Sequence, residues 1–328
     1  MTERLRWGIL ATGSIAGQMT ADLRVAGFPV VAVGSRSIRS AQAFAQTHGI
    51  PRAHGSYEEL VADPDVDAVY VATPHPMHAE NALLALDAGK HVLVEKPLAL
   101  NAAQARRIAD RAAEHGLVAL EAMWTRWLPH MVRIRELVRS GALGELRTLQ
   151  ADHGQRLSAD PAGRLLNPAL GGGALLDLGV YPLSFAWDIL GAPDRVLALA
   201  SPAVTGVDAT TSVLLGYPGG AQATLQCGLD AASPVTASIV GTQARIEIDA
   251  WWFSPTTFRL ITGEGTVLEE FDGRVPAGSG RHFQALELER LAASGATAGD
   301  ILPPDESVAI LGVLDEVRRQ IGLSYPGE

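Results

Sequence analysis

Lysine is scarce in this chain, and one of its lysines directly follows an apolar run typical of a β-strand. Of the 26 basic residues in the 328-residue sequence only two are lysine, Lys90 and Lys96. Lys96 lies in the segment Glu95-Lys96-Pro97 at the end of that run. A lysine ammonium can share a proton, whereas an arginine stays charged in proteins. Lys96 is therefore a candidate for chemistry that needs an ammonium rather than charge alone.

A long apolar segment contains a carboxylate and a phenol at helical spacing. Asp177 and Tyr181 are four residues apart, so both lie on one face if the segment is helical. Pro182 would remove the backbone bond to Leu178 and bend a helix there. Taken alone, the tyrosine has the alternative of an amphipathic core residue, and the aspartate that of a helix-cap or salt-bridge residue.

A glycine-containing turn follows the first predicted strand. It reads Gly8-Ile9-Leu10-Ala11-Thr12-Gly13-Ser14-Ile15-Ala16 and opens the first predicted helix, where backbone N–H groups can meet a pyrophosphate. Ala11 and Ala16 replace the first and last glycines of the usual fingerprint, while the central Gly13 is retained. We predict cofactor contacts from Ala11, Thr12, Gly13, Ser14 and Ile15. A tight turn without a ligand is the alternative.

The end of the second predicted strand favours NADP over NAD. An NAD-binding domain usually has Asp or Glu there to bind the ribose 2′-hydroxyl. This strand instead ends at Val33-Gly34-Ser35-Arg36, with Arg39 one turn later. Ser35, Arg36 and Arg39 could hold a 2′-phosphate, Arg36 by a bidentate contact. The alternative is that both arginines are simply solvated at a helix start.

Two further predicted strands end in polar residues that we assign to the cofactor site. One runs into Thr73-Pro74-His75-Pro76-Met77-His78 and the other into Glu95-Lys96-Pro97. Ligands bind at the carboxyl edge of an open α/β sheet, so Thr73, Pro74, His78, Glu95 and Lys96 are expected near the nicotinamide half. For His78 a local capping role is the alternative.

The order of predicted elements indicates two domains. Short β-branched runs alternate with helical patterns in the first third, which is typical of a doubly wound parallel sheet. Its predicted strands are Arg6–Ala11, Val30–Ser35, Ala68–Ala72, His91–Glu95 and Leu117–Leu120. Later strands follow at short intervals and predict a mostly antiparallel sheet: Leu146–His153, Arg195–Ala200, Thr210–Gly216, Ala221–Leu229, Pro234–Gly241, Ala244–Asp249 and Phe258–Thr262. We therefore predict a Rossmann domain over 1–122 and an α+β domain over 123–328.

Composition narrows the classes of function. A formal charge of −10, with no dense basic run, argues against a nucleic-acid partner. Cys227 is the single cysteine, so neither an internal disulfide nor a cysteine metal cluster is expected, and a cytoplasmic location fits best. The start of the sequence lacks a secretory pattern. The apolar stretch 169–192 contains Asp177 and Asp188, which argues against a membrane span.

These motifs together resemble the Gfo/Idh/MocA oxidoreductases, over nearly the whole chain. Glu95-Lys96-Pro97 after such a first domain is the first point of resemblance. Within the family the likeness is closest to the dihydrodiol dehydrogenase branch, through the segments Gly55-Ser56-Tyr57-Glu58-Glu59-Leu60, Glu121-Ala122-Met123-Trp124-Thr125-Arg126-Trp127 and Gly171-Gly172-Gly173-Ala174-Leu175-Leu176-Asp177-Leu178-Gly179-Val180-Tyr181.

The resemblance implies hydride transfer between a nicotinamide and the carbinol carbon of a sugar, polyol or cyclic trans-diol. It implies that Tyr181 is the acid/base and that Lys96 and Asp177 assist. A phenol with an ordinary pKa of about 10 is a poor base at neutral pH, and a nearby ammonium favours its phenolate. The resemblance further implies a cis Lys96-Pro97 bond and a homodimer formed through the open sheet.

Three other residues complete the predicted site. Trp124 and Arg126 are expected to line the nicotinamide pocket, with a core position at the domain junction as the alternative for the tryptophan. His153 is expected to face the substrate.

Two other functions fit the same fold. One is a keto-sugar or anhydrosugar reductase working in the reduction direction, and the other is a non-catalytic NADP-binding sensor. A metal-dependent alcohol dehydrogenase fits poorly because no Cys, His and Glu residues are grouped at ligand spacing.

Overall fold

The computed structural model describes residues 4–157 and 160–328. Contacts divide the chain into two units, which are described separately below. The first unit comprises Met1–Trp124 and Ala277–Leu311, and the second comprises Thr125–Pro276 and Gly312–Glu328.

The helices and strands follow the chain in this order. The strands are β1 (Trp7–Leu10), β2 (Val30–Gly34), β3 (Arg52–His54), β4 (Ala68–Val71), β5 (His91–Val94), β6 (Ala119–Glu121), β7 (Leu146–Gly154), β8 (Arg195–Pro202), β9 (Asp208–Gly216), β10 (Gln222–Gly228), β11 (Ala237–Gly241), β12 (Ala244–Ile248), β13 (Thr257–Thr262) and β14 (Val267–Asp272). The α-helices are α1 (Ser14–Val25), α2 (Ile38–His48), α3 (Tyr57–Val61), α4 (His78–Asp87), α5 (Ala102–His115), α6 (Pro129–Arg139), α7 (Val180–Leu190), α8 (His282–Ser294) and α9 (Pro304–Ile321).

The first unit contains a parallel six-stranded sheet in the order β3-β2-β1-β4-β5-β6. Its central strands β1 and β4 are buried along their whole length, as expected for a parallel sheet with helices on both faces. The predicted Rossmann fold is confirmed. The sheet has one strand more than the sequence predicted, because β3 is a three-residue strand of half-buried residues.

The position of segment 277–311 differs from the predicted domain boundaries. The sequence predicts this segment as part of the second domain, 123–328, but it lies with the first unit. The physical reason is the apolar face of α8: Ala285, Leu288 and Leu291 are buried in the same core as Trp7 and Ile9 of β1. That burial removes apolar area from water on the first sheet.

The second unit contains an eight-stranded sheet in the order β14-β13-β12-β11-β7-β10-β9-β8. Only the β7 and β10 pair is parallel among the strand pairs described, so the prediction of a mostly antiparallel sheet is confirmed. Burial alternates along β10, where Ala223, Leu225 and Cys227 point inward. Helix α7 packs against β7 and β10 on this face.

The segment before α7 has an unusual backbone. Residues Leu175–Gly179 form a π-helical turn that runs directly into α7. Pro182 lacks the N–H that would bond to Leu178, and its ring would crowd the Leu178 carbonyl in a regular helix. A wider turn at Leu178 relieves this crowding without breaking the helix.

The stretch Pro168–Leu190 has the length and apolar composition of a membrane span. However, 89% of its most apolar window is buried inside the protein. Its apolar side chains are therefore satisfied by packing within the second unit.

Candidate active site

The turn between β1 and α1 has the features of a pyrophosphate cradle. Gly13 is the N-cap residue of α1, and no side chain caps this helix start. A Cβ at Gly13 would have no neighbouring atom within 4 Å, so the space beside this residue is open. Uncapped N–H groups facing open space suit a dinucleotide phosphate. Thr12, Ser14 and Ile15 lie in the same turn and are exposed or half-buried.

Ala11 adopts a backbone conformation that normally requires glycine. Its φ is 89°, and its N–H donates to the Gly34 carbonyl at 2.9 Å. This residue stands where the usual fingerprint has its first glycine. The left-handed φ of that turn is therefore kept, although the backbone of an L-residue is strained in this conformation.

The end of β2 presents two cationic side chains and no carboxylate. Ser35 is buried, whereas Arg36 and Arg39 are exposed. Within residues 4–157 and 160–328 neither arginine forms an ion pair with Asp or Glu. Burial raises the pKa of the Tyr57 phenol, and the charge and hydrogen bond of Arg36 act in the opposite direction. Arg36 thus lies beside Tyr57 and keeps an unneutralised charge, as a 2′-phosphate site requires.

His78 links the ends of β4 and β5 from inside the first unit. Its ring is fully buried, with Nδ1 2.8 Å from the Pro97 carbonyl oxygen and Nε2 2.8 Å from the Thr73 carbonyl oxygen. Both ring nitrogens therefore face main-chain carbonyls. Pro74 is half-buried beside this contact. The geometry fits a residue that shapes the carboxyl edge of the sheet around Lys96.

Glu95 is a buried acid next to Lys96. Its carboxylate accepts hydrogen bonds from the Tyr70 hydroxyl and, at 3.3 Å, from the Lys96 N–H. Burial raises the pKa of Glu95, while Tyr70 and the charges of Lys96 and Arg281 oppose that rise. Lys96 itself is half-buried, and the Lys96-Pro97 peptide bond is cis, as the resemblance implied.

Trp124 is buried in the first unit beneath a cation that the sequence did not single out. The Arg281 guanidinium lies 4.3 Å from the centre of the Trp124 ring, a cation–π distance. Nearby, the Glu121 carboxylate accepts from the Leu98 N–H at 3.1 Å and from the Ser307 hydroxyl at 2.7 Å. Arg281 and Ser307 are far from this motif in sequence, so no local pattern pointed to them.

Tyr181 belongs to an aromatic cluster in the second unit. Its ring centre is 5.1 Å from that of His153, in an edge-on arrangement, and 5.1 Å from that of Phe253. His153 and Phe253 stack at 4.1 Å. Tyr181 and His153 are both buried. The fold therefore brings together two of the predicted substrate residues and adds Phe253, which sequence reasoning missed.

Asp177 is held by an arginine from the preceding loop. The Arg164 Nη1 and Nη2 atoms lie 3.0 and 3.3 Å from the two carboxylate oxygens of Asp177. This is a bidentate charge-assisted contact. Arg164 is 13 residues from Asp177 along the chain, a separation that no helical spacing links, so sequence reasoning missed it.

Arg126 lies in the interior of the second unit. Its Nε donates to the Ser184 hydroxyl at 2.9 Å and its Nη2 to the Ser184 carbonyl at 2.8 Å. Its Nη1 pairs with Asp188 at 3.0 Å, and Arg135 pairs with the other oxygen of Asp188 at 2.8 Å. Arg126 is 2% exposed, so in this structure it anchors α7, the helix that carries Tyr181.

The predicted residues thus fall into two groups. The glycine turn, Ser35, Arg36, Arg39, Thr73, Pro74, His78, Glu95, Lys96 and Trp124 belong to the first unit. Arg126, His153, Asp177 and Tyr181 belong to the second. Among the residues that the structure describes, no group of three or more His, Cys, Asp or Glu side chains could hold a metal ion.

Comparison with known proteins gives matches to both halves of the chain. Residues 5–122 match the oxidoreductase family model with an NAD-binding Rossmann fold, GFO_IDH_MocA. Residues 131–247 match the model of the GFO/IDH/MocA C-terminal domain. Trans-1,2-dihydrobenzene-1,2-diol dehydrogenase from Bos taurus is 37% identical over 335 residues, covering 98% of each chain.

Solved structures of sugar oxidoreductases share the fold. A 3-ketoreductase from Actinomadura kijaniata, solved with NADP and TDP-benzene, has a TM-score of 0.86 and 27% identity over 97% of this chain and 98% of its own. The structures of that ketoreductase include one variant in which a lysine is replaced and another in which a tyrosine is replaced. An aldose-aldose oxidoreductase from Caulobacter crescentus has a TM-score of 0.87 and 27% identity over 97% of both chains.

Proposed function

The chain belongs to the Gfo/Idh/MocA oxidoreductase family, and on that premise we propose that it is an NADP-dependent dehydrogenase of sugars, polyols or cyclic trans-diols. The reaction is hydride transfer between the nicotinamide and a carbinol carbon of the substrate. The observation that carries this proposal is the buried phenol of Tyr181, which lies in an aromatic cluster one helical turn from the carboxylate of Asp177.

The preference for NADP rests on the end of β2. Ser35 is followed by two exposed arginines, and the position that would bind a ribose 2′-hydroxyl in an NAD enzyme lacks a carboxylate. The ketoreductase solved with NADP supports the same choice. Arg36 and Arg39 would hold the 2′-phosphate, and the turn Ala11 to Ile15 would hold the pyrophosphate.

The protein's own residues handle the proton. When bound, the nicotinamide supplies the hydride acceptor or donor. In oxidation Tyr181 takes the hydroxyl proton of the substrate, because loss of hydride would otherwise leave a protonated carbonyl. Lys96 hydrogen-bonds the substrate oxygen and favours the phenolate, and Asp177 orients the substrate hydroxyls. In reduction Tyr181 returns the proton to the carbonyl oxygen.

A second candidate is a reductase of keto-sugars working with NADPH. The similarity to the 3-ketoreductase favours it. The residues are the same in both directions, so comparing the two directions at physiological cofactor ratios distinguishes them.

The experiment is a panel of cyclic trans-diols, aldoses and inositols assayed for NADP⁺ reduction, with NAD⁺ alongside and keto-sugars in the reverse direction. We expect turnover of at least one neutral polyol or diol, with NADP⁺ preferred over NAD⁺. Cofactor binding without turnover of any panel member would point instead to an NADP-binding sensor.

We also propose that the chain forms a homodimer through the open face of the second sheet. Leu197 and Leu199 on β8 are 62% and 78% exposed. Leu214 on β9 is the strand partner of Leu197 and is 40% exposed. Three large apolar side chains grouped on one sheet face form a surface that a second copy of the chain would cover.

A further inference from the structure

The three-glycine run before Asp177 permits a close approach of two backbone segments. A Cβ at Gly172 would lie 2.7 Å from the Leu165 carbonyl oxygen and 2.9 Å from the Arg164 carbonyl oxygen. Such distances exclude any larger residue without a backbone shift. The Gly172 N–H also donates to Asn167 at 3.1 Å, and the Gly173 N–H donates to Leu165 at 2.8 Å. The glycines therefore fix the backbone of Arg164 against the segment that leads to Asp177.

The close approach places the Arg164 guanidinium on the Asp177 carboxylate. Both carboxylate oxygens are engaged, at 3.0 and 3.3 Å. The Asp177 side chain is 9% exposed, whereas that of Arg164 is 44% exposed. One member of the pair is thus buried, and the other is partly exposed.

We propose that Arg164 is a substrate-binding residue that selects an uncharged substrate with a hydroxyl next to the reacting carbinol. The inference rests on the proposed function, since it assigns this role within the same site. Asp177 and Tyr181 are four residues apart at the junction of the π-turn and α7, so a ligand held at the pair is one helical turn from the phenol.

The chemistry of the pair explains the selectivity. A paired guanidinium and carboxylate carry no net charge, so they give an ionic substrate group little net attraction. They offer N–H donors beside a carboxylate, whose two oxygens have about four lone-pair sites in all. A hydroxyl group both donates and accepts, and it can use both at once. An amine or a carboxylate matches only one member and faces the like charge of the other.

A purely structural tie is the competing explanation, because Arg164 could do no more than hold the loop against Asp177. The two explanations differ in which substrates are affected. A structural tie affects every substrate alike, whereas a binding residue affects only substrates that carry the neighbouring hydroxyl.

The test combines enzyme variants with matched substrates. Arg164→Gln and Arg164→Lys are compared with the wild type on trans-1,2-cyclohexanediol against cyclohexanol and on D-glucose against 2-deoxy-D-glucose. The control is Arg156→Gln, which removes an exposed arginine from the same loop. Wild type should prefer the hydroxyl-bearing member of each pair by at least about 10-fold in kcat/KM, since one hydrogen bond to a charged group has roughly that worth.

Arg164→Gln should lose about 10-fold or more on the hydroxyl-bearing substrate, mainly through KM, and little on the partner lacking it. Arg164→Lys should recover part of the loss, because an ammonium keeps the positive charge but lacks the planar set of N–H donors of a guanidinium. Arg156→Gln should match the wild type. Equal losses on both members of a pair, or no loss at all, would overturn the inference while leaving the proposed function intact. Absence of wild-type turnover across the broader substrate panel would instead remove the proposed function.

Discussion

Several ionisable side chains lie in the interior of one unit or the other, and burial shifts their pKa values in opposite directions. Burial raises the pKa of Glu95 and Asp208, and it raises the pKa of the Cys227 thiol well above its ordinary value. For a histidine the charged form is the protonated one, so burial lowers the pKa of His130 to about 4. Each shift favours the neutral form in the interior.

His130 should make the second unit sensitive to mild acid. Its ring is fully buried, and Nε2 lies 3.0 Å from the Trp252 carbonyl oxygen. Because its pKa falls from 6.5 when unfolded to about 4 when folded, the stability it contributes is complete above pH 6.5. That stability is lost as the pH falls toward 4, by about 3 kcal/mol.

His130→Gln keeps a donor for Trp252 but cannot titrate. Chemical unfolding at pH 6.5 and at pH 4 should therefore show a smaller acid loss for this variant than for the wild type. His115→Gln, at an exposed helical position, is the control and should follow the wild-type curve. An acid loss in His130→Gln equal to that of the wild type would refute the assignment.

Ala11 stores backbone strain in the cofactor turn. Ala11 has a φ of 89°. Ala11→Gly should raise the free energy of unfolding of the first unit by about 0.5–1 kcal/mol, because the relief of strain exceeds the cost of the extra backbone entropy that a glycine loses on folding. The control Ala21→Gly, inside α1, should lower it by about 1 kcal/mol. Thermal unfolding measures both, and a lower melting temperature for Ala11→Gly would contradict the strain argument.

At the scale of elements, α7 depends on a buried ion network. Asp188 accepts from two arginines, Arg126 and Arg135, whose side chains are 3% and 7% exposed. Asp188→Asn would leave two guanidiniums buried without their carboxylate, which should lower the free energy of unfolding of the second unit by about 3–5 kcal/mol. Urea unfolding followed by circular dichroism measures the change. Asp194→Asn, at an exposed position, is the control, and equal stability of the two variants would show that the network contributes nothing.

The sequence predicted most elements of both sheets and missed the same kind of strand in each. Strand β3 is an edge strand of the first sheet, and β14 is an edge strand of the second. Every residue of β3 is half-buried, and no residue of β14 is fully buried. Hydrophobic alternation arises where one face of a strand is buried, so neither strand carries the period-two pattern that predicts a strand.

At the scale of the whole molecule, the missed site residues share one physical cause. Arg164, Phe253 and Arg281 reach their partners through contacts between segments that are separate along the chain. Local spacing reveals partners one helical turn apart, such as Asp177 and Tyr181, but not pairs set by tertiary packing. For the same reason the placement of 277–311 with the first unit could not be derived from the element order.

The proposed dimer leads to a prediction on assembly. Leu199→Asp places a charge on the exposed apolar face of β8, so it should convert a dimer of the 34.5 kDa chain into monomers. Val204→Asp, 86% exposed in the loop after β8, adds the same charge outside that face and should leave the dimer intact. Light scattering after size exclusion reports the mass. A monomeric wild type, or a dimer unaffected by Leu199→Asp, would contradict the proposed interface.

The step that most needs a test is proton transfer through the phenol of Tyr181 during hydride transfer. The most direct measurement is Tyr181→Phe, with NADPH binding followed by fluorescence and hydride transfer followed in a single turnover on the best substrate of the panel. We expect nearly unchanged NADPH affinity and a transfer rate at least about 100-fold slower. Turnover near the wild-type rate would contradict it, because the proton would then be moving through another group.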